Sequence, residues 1–263
     1  MGRQAGGFEH GKVKGTLEMS EYTNLSPSGH TLFDIARNNI AEASTVNLFG
    51  YNPAVGVTYE TLWNYGGLYS RPGSAVVMSV ASSSAADISK RIRITGLDDE
   101  YKQITDIVTL DASDATTPVN TTQSFYRINQ VMSLDSTHAG NISVSNGGTV
   151  YGYIAAGEGI SQACVYTVPE NHSLYLFRID LNSATANPNK YITIRNKTIS
   201  SSGMVINTAR ATSSTSQVSY DRQVPFRINE KTDVEFDCVS SSGDNEVAIF
   251  IECVLLENPW GRI

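Results

Sequence analysis

From about residue 56 to the end, apolar and polar side chains alternate in short runs separated by turn residues. This period of two constrains the fold more than any other feature of the chain. In KRIRITG (90–96), Ile92 and Ile94 fall on one face and Arg91 and Arg93 on the other, the pattern of a half-buried strand. SAVVMSVA (74–81) precedes it, and YKQITDIVTL (101–110) keeps Ile104, Val108 and Leu110 in phase. SFYRINQVMSL (124–134) reads as one further strand. A second series begins after Asn146-Gly147-Gly148: TVYGYIA, SQACVYTV, SLYLFRIDL, YITIRNKTI, GMVINTARA, SYDRQVPFRI, DVEFDCVS and EVAIFIECVLL. Short strands at regular spacing predict an all-β chain. The expected architecture is two antiparallel β-sandwiches, over 56–148 and 149–263. Eight strands in the second suit a jelly roll, with an immunoglobulin-like sandwich as the alternative.

Residues 1–55 read differently, as an N-terminal arm with a short helix. Positions 1–27 are polar and Gly-rich without periodicity, as in a segment that orders against a partner. TLFDIARNN (31–39) is the best helix candidate, with Leu32, Phe33, Ile35 and Ala36 as its apolar stripe. STVNLFG then reads as extended and Tyr51-Asn52-Pro53 as a turn. The first residues lack the apolar core of a secretory signal. Gly6 stands where a myristoylation motif needs Ser or Thr.

Charge narrows the partners. Acidic residues outnumber basic ones 26 to 19, for a net −7, and the Lys and Arg are scattered. A nucleic-acid binder usually presents a basic face, so no nucleic-acid partner is expected. No apolar run approaches the roughly 20 residues that span a bilayer, so no membrane partner is expected either. Cys164, Cys238 and Cys253 are too few and too unevenly placed for a disulfide framework. A hairpin about Ser240–Asn245 would set Cys238 opposite a residue near Ala248, too far from Cys253 for a bridge. Free, buried thiols are expected, which suits assembly in a reducing cytoplasm.

Motifs for chemistry are missing. His10, His30, His138 and His172 stand apart from one another and from the cysteines. Nucleophile elbows, Walker loops and dinucleotide fingerprints are absent. The chain is therefore read as a non-enzyme with no catalytic residues, no metal and no cofactor. Asp98-Asp99-Glu100 could serve as calcium ligands or glycosidase carboxylates, but a solvated hairpin turn is the preferred reading. Asp111, Asp114 and Asp244 are read the same way. Trp63, Tyr65 and Tyr69 cluster in YETLWNYGGLYSRPG as a candidate interface or ligand contact, with packing or subunit contact preferred over sugar stacking. Trp260 predicts a docked C-terminus.

Several of these runs together resemble structural proteins of tailed bacteriophages, especially aquatic ones. Trp63, Gly66, Gly67 and Tyr69 match a W-x-x-G-G-x-Y entry, and Ile94, Gly96, Leu97, Asp98 and Tyr101 an I-x-G-L-D-x-x-Y strand turn. Val108 and Leu110 follow, then Phe125-Tyr126-Arg127-Ile128. GEGISQACVYTVPENHSLYLF (157–177) is similar to the same family's second half, with Asn171 where Gly is usual. The resemblance covers roughly residues 32–181. It implies a virion component assembled in the host cytoplasm: a capsid decoration or cement protein on the major capsid protein, a head fibre, or part of the tail. A homotrimer is the preferred state by analogy with virion symmetry. The alternative is a tail- or fibre-associated module that recognises host glycans through Trp63, Tyr65 or loop tyrosines.

Overall fold

The computed structural model describes residues 31–135, 137–184, 191–243 and 245–258. The arm up to residue 30, Asp244 and Trp260 lie outside these residues. The rest falls into two compact units, one ending at Thr45 and one running from Val46 onward. In the first, helix α1 (Thr31–Ala36) buries Asp34 and Ile35. The expected apolar stripe is not one face of it, because Leu32 and Phe33 are exposed. Asn38 ends the helix in the left-handed conformation, at φ 57°, which Asn adopts more readily than most residues.

The second unit is all-β and holds two sandwiches. One has the strand order of a jelly roll. Its first sheet runs β1 (Ala43–Val55), β16 (Asn245–Glu257), β11 (His172–Ser183), β14 (Gln217–Ile228). Its second runs β10 (Val165–Thr167), β15 (Asp233–Ser240), β12 (Ile192–Ile199), β13 (Val205–Ser213), with β2 (Glu60–Thr61) also on β15. Alternation fills the space between the sheets. Val234, Phe236 and Cys238 of β15 and Val247, Ile249, Ile251 and Cys253 of β16 point into one core. The three cysteines are buried and unbridged.

β2 and β10 are two pieces of one strand. Along β15, Thr167 and Val165 pair with Asp233 and Glu235, and Thr61 and Glu60 continue the line opposite Asp237 and Cys238. At the break, Leu62 N–H donates to Phe236 O at 2.9 Å and Phe236 N–H donates to Cys164 O at 3.1 Å. Cys164 N–H donates to Leu62 O at 2.8 Å, and Trp63 bridges Ala163. Two antiparallel stretches thus leave the jelly roll side by side and carry the other sandwich between them. Chain ends that lie close together make such an insertion tolerable.

The inserted sandwich has a four-stranded sheet, β6 (Val119–Phe125), β3 (Val76–Ser82), β8 (Ile142–Asn146), β9 (Thr149–Ile154). It faces a three-stranded one, β5 (Gln103–Thr109), β4 (Arg91–Leu97), β7 (Arg127–Ser133). Met78, Val80, Ile92, Ile94, Phe125 and Val131 fill its core. Ile92 and Ile94 are fully buried, as their alternation predicts.

Four local expectations are corrected. The stretch 124–134 is two strands, because the chain leaves one sheet at Phe125 and enters the other at Arg127. Tyr51-Asn52-Pro53 is no turn but part of β1, an edge strand, where proline's missing N–H costs no ladder bond. Ser240–Asn245 is not a hairpin: β15 and β16 belong to facing sheets, so Cys238 and Cys253 were never candidates for cross-strand pairing. Finally, hydrogen bonding crosses the expected divisions at 55/56 and 148/149. β9 pairs with β8 in the inserted sandwich, while β1 and β2 pair into the jelly roll.

Candidate functional site at the junction of the sandwiches

Asp233, Glu235 and Asp237 alternate with the core residues of β15 and share its other face. All three are buried. Carboxylates taken out of water need cations and hydrogen bonds at close range. The neighbouring strand β12 meets two of them. In register, Arg195 stands opposite Asp237 and Lys197 opposite Glu235. Arg195 donates two hydrogen bonds to Asp237, its Nε to Oδ1 at 2.9 Å, and its guanidinium lies 3.7 Å over the Tyr59 ring. Lys197 Nζ reaches Glu235 at 3.0 Å.

The third carboxylate has no cation on β12, because Ile199 is its partner there. Its cation comes from the inserted sandwich. Arg127, the first residue of β7, donates Nε to Asp233 Oδ1 at 2.8 Å and Nη2 to Oδ2 at 3.1 Å. Its Nη1 donates to the backbone oxygens of Pro72 and Tyr126 at 3.1 and 2.8 Å, and Tyr126 stacks on its guanidinium at 3.9 Å. Thr167 Oγ1 donates to the same Asp233 oxygen at 2.6 Å. Arg71, on the segment joining the two sandwiches, bridges the ladder: its Nη1 is 2.9 Å from Glu235 and its Nε 3.5 Å from Asp233. Burial pushes the Glu235 carboxyl up, but Arg71 and Lys197 pull harder, and the net shift is below the usual carboxylate range.

Close approach of backbone makes this geometry possible. A Cβ on Gly96 would stand 2.0 Å from Arg127 O and 2.9 Å from the Phe125 ring. Glycine at 96 therefore lets β4 lie against the sheet switch that aims Arg127. Tyr101 closes one side, edge-on to Tyr126 at 5.4 Å, with its carbonyl accepting from Glu170 N–H at 2.9 Å. Asn129 and Thr167 exchange two further bonds across the junction, at 3.0 and 2.8 Å.

The aromatic cluster forms a second part of the same junction. Trp63 is 2% exposed and Tyr69 9%, whereas Tyr65 is 50% exposed. Trp63 lies 5.1 Å from Tyr69 and 4.9 Å from Tyr65, which in turn meets Tyr153 at 5.2 Å. Trp63 Nε1 donates to Gly67 O at 3.2 Å and Tyr69 Oη to Tyr151 O at 2.9 Å. The polar edges of both buried rings are spent inside the chain. Burial holds the Tyr69 phenol up at about 12. Of the three aromatics, Tyr65 alone offers substantial surface to an outside molecule.

The acidic turn is built of backbone capping. Asp98 Oδ1 accepts from the amides of Glu100 and Lys102, both at 2.9 Å, and Glu100 pairs with Lys102. Asp111 and Asp114 accept from Ser113 and Thr116 amides in the same way, at 2.8 and 2.9 Å. Among the described residues, no group of three or more His, Cys, Asp or Glu could hold a metal ion. No helix among them is long and apolar enough to cross a membrane.

Sequence reasoning read DVEFDCVS and YITIRNKTI as strands but left their charges unpaired. The signal was there: carboxylates at 233, 235 and 237, and cations at 195 and 197, each spaced by two. Arg127 and Arg71 carried no such signal, because their partner lies far away in sequence.

Comparisons with known proteins place little beside this geometry. No family model matches the chain, and no curated protein does. Among solved structures, the VP2 subviral particle of infectious bursal disease virus is similar at 10% identity and a TM-score of 0.22, over 83% of this chain and 77% of that one. The infectious bursal disease virus Gt strain structure gives 11% and 0.21, over 82% and 76%. These superpositions are too loose to carry a fold or a role to this chain.

Proposed function

We propose that the chain is a non-enzymatic structural protein of a virus particle, in the first place a capsid decoration or cement protein seated on the major capsid protein. The observation that carries this reading is where the family-resembling residues lie. Trp63 and Tyr69, Gly96 and Tyr101, Tyr126 and Arg127, and Thr167 all meet at the junction of the two sandwiches. Part of the resemblance to tailed-phage structural proteins thus falls on the residues that join the two sandwiches. A rigid two-block body suits a part that transmits load between neighbours. Apolar area buried at its contacts would stabilise a shell by roughly 25 cal/mol per Å². A homotrimer on the major capsid protein, assembled in the host cytoplasm, remains the preferred arrangement.

Immunogold labelling and quantitative mass spectrometry of purified particles test this. Many copies spread over the head are expected; absence from particles overturns it. The second reading, host recognition from the tail or a fibre, rests on Tyr65 alone among the three aromatics. Glycan binding by the isolated protein that is lost in Tyr65→Ala with the fold intact would favour it over cement.

A further inference from the structure

β13 and β14 are the last strands of the two jelly-roll sheets, and the sandwich is open between them. A cavity of about 280 Å³ enters there. Ile179, Leu181 and Val218 wall it on one side, Ile194 and Phe236 on the other. Two polar side chains also line it, Asn196 and Arg222, while Arg210 stands in register with Arg195 on the other face of the sheet. Asn196 follows Ile194 on the core-facing side of β12 and is 4% exposed. Its Oδ1 is buried with no hydrogen-bond partner among the described residues, and so is Arg222 Nε. Leaving such a group unpaired costs stability, so a buried acceptor and a buried donor facing one cavity call for a shared ligand. Arg222 makes no ion pair among the described residues. Asp221, beside Arg222 in sequence, stands 3.5 Å from Arg178 instead. The Arg222 guanidinium lies over the Tyr220 and Phe226 rings at 5.5 and 5.4 Å.

We infer that this slot binds a small amphiphile, an aliphatic carboxylate that also carries a hydroxyl group. The apolar walls take the chain, Arg222 takes the carboxylate, and the hydroxyl donates to Asn196 Oδ1. A neutral alcohol would leave Arg222 Nε unmatched, and a plain fatty acid would leave Asn196 unmatched. The volume lies near the small end of ligand pockets, which sets a medium-chain length. This assignment does not depend on the virion reading.

Calorimetric titration of the full chain with β-hydroxydecanoate, decanoate and decanol tests it. Saturable binding of β-hydroxydecanoate at one site is expected, with decanoate and decanol each weaker by about tenfold, the equivalent of one hydrogen bond to a charged or buried group. Ala209→Phe fills the slot and is expected to abolish binding while circular dichroism keeps its β signature. If that variant does not fold, Arg222→Gln serves: it is expected to erase the advantage of β-hydroxydecanoate over decanol. Absence of saturable binding, equal affinity for all three compounds, or unchanged binding in the folded Ala209→Phe or Arg222→Gln chain overturns the inference.

Discussion

Leu62 and Cys164, remote in sequence, hydrogen-bond to the same residue: Leu62 donates to Phe236 O and Cys164 accepts from Phe236 N–H. Between these two bonds the chain leaves a jelly-roll strand, builds a whole sandwich and returns to the same strand. The insertion therefore hangs from the middle of an edge strand, not from a loop. Load on the inserted sandwich passes into β15 through backbone bonds and the carboxylates beside them, with the Asn129–Thr167 and Glu170–Tyr101 bonds alongside.

Removing Arg127 tests the strongest of those links. Arg127→Leu leaves Asp233 buried without its bidentate cation, and such losses cost about 3–5 kcal/mol. Arg71 at 3.5 Å and Thr167 at 2.6 Å still face the carboxylate, so the lower end is expected in urea unfolding. Arg127→Leu combined with Asp233→Leu is expected to recover a large part of the loss, because no lone charge then stays buried.

Gly96→Ala acts on the same link through sterics. The added methyl would meet backbone at 2.0 Å, and backbone cannot swing aside as a side-chain end can. Overpacking of this kind costs about 1–3 kcal/mol. A lower melting temperature in calorimetry is expected, comparable with that of Arg127→Leu.

Acid should loosen the junction. Glu235 has a lowered carboxyl pKa in the folded chain, through Arg71 and Lys197 working against burial. Its contribution is complete above the unfolded value of about 4.3 and is lost as pH falls through the lower folded value. Stability is expected to be flat near neutrality and to fall below about pH 4. Glu235→Gln is expected to shallow that acid slope, as read from urea midpoints across pH.

The thiols give a test of the jelly-roll core. Burial pushes Cys253 up to about 12 and raises Cys164 and Cys238 as well. Only the thiolate reacts readily. Ellman's reagent is expected to find no reactive thiol in the native protein and all three after unfolding in urea.

Most strands were legible in the sequence, because alternation such as that of Ile92 and Ile94 depends on neighbours two residues away. Sheet membership was not. Tyr126 marks a change of sheet inside a run that reads as one strand, and Ser240–Asn245 crosses between sheets where a hairpin looked natural. The insertion was equally hidden. Glu60–Thr61 and Val165–Thr167 are one strand only in the presence of β15, and neither fragment is long enough to announce itself. The aromatics at 63, 65 and 69 were legible as a cluster, while the ion pairs that complete the junction needed Asp233 and Arg127 to be seen side by side.

Native-state hydrogen exchange read by mass spectrometry tests the central claim, that two sandwiches behave as one block. The slowest amides of β4 and β7 in the inserted sandwich and of β11 and β16 in the jelly roll are expected to exchange with the same opening free energy and the same denaturant dependence. In Arg127→Leu the inserted sandwich is expected to open first. Separate opening of the two sandwiches in the unmodified chain would contradict the account.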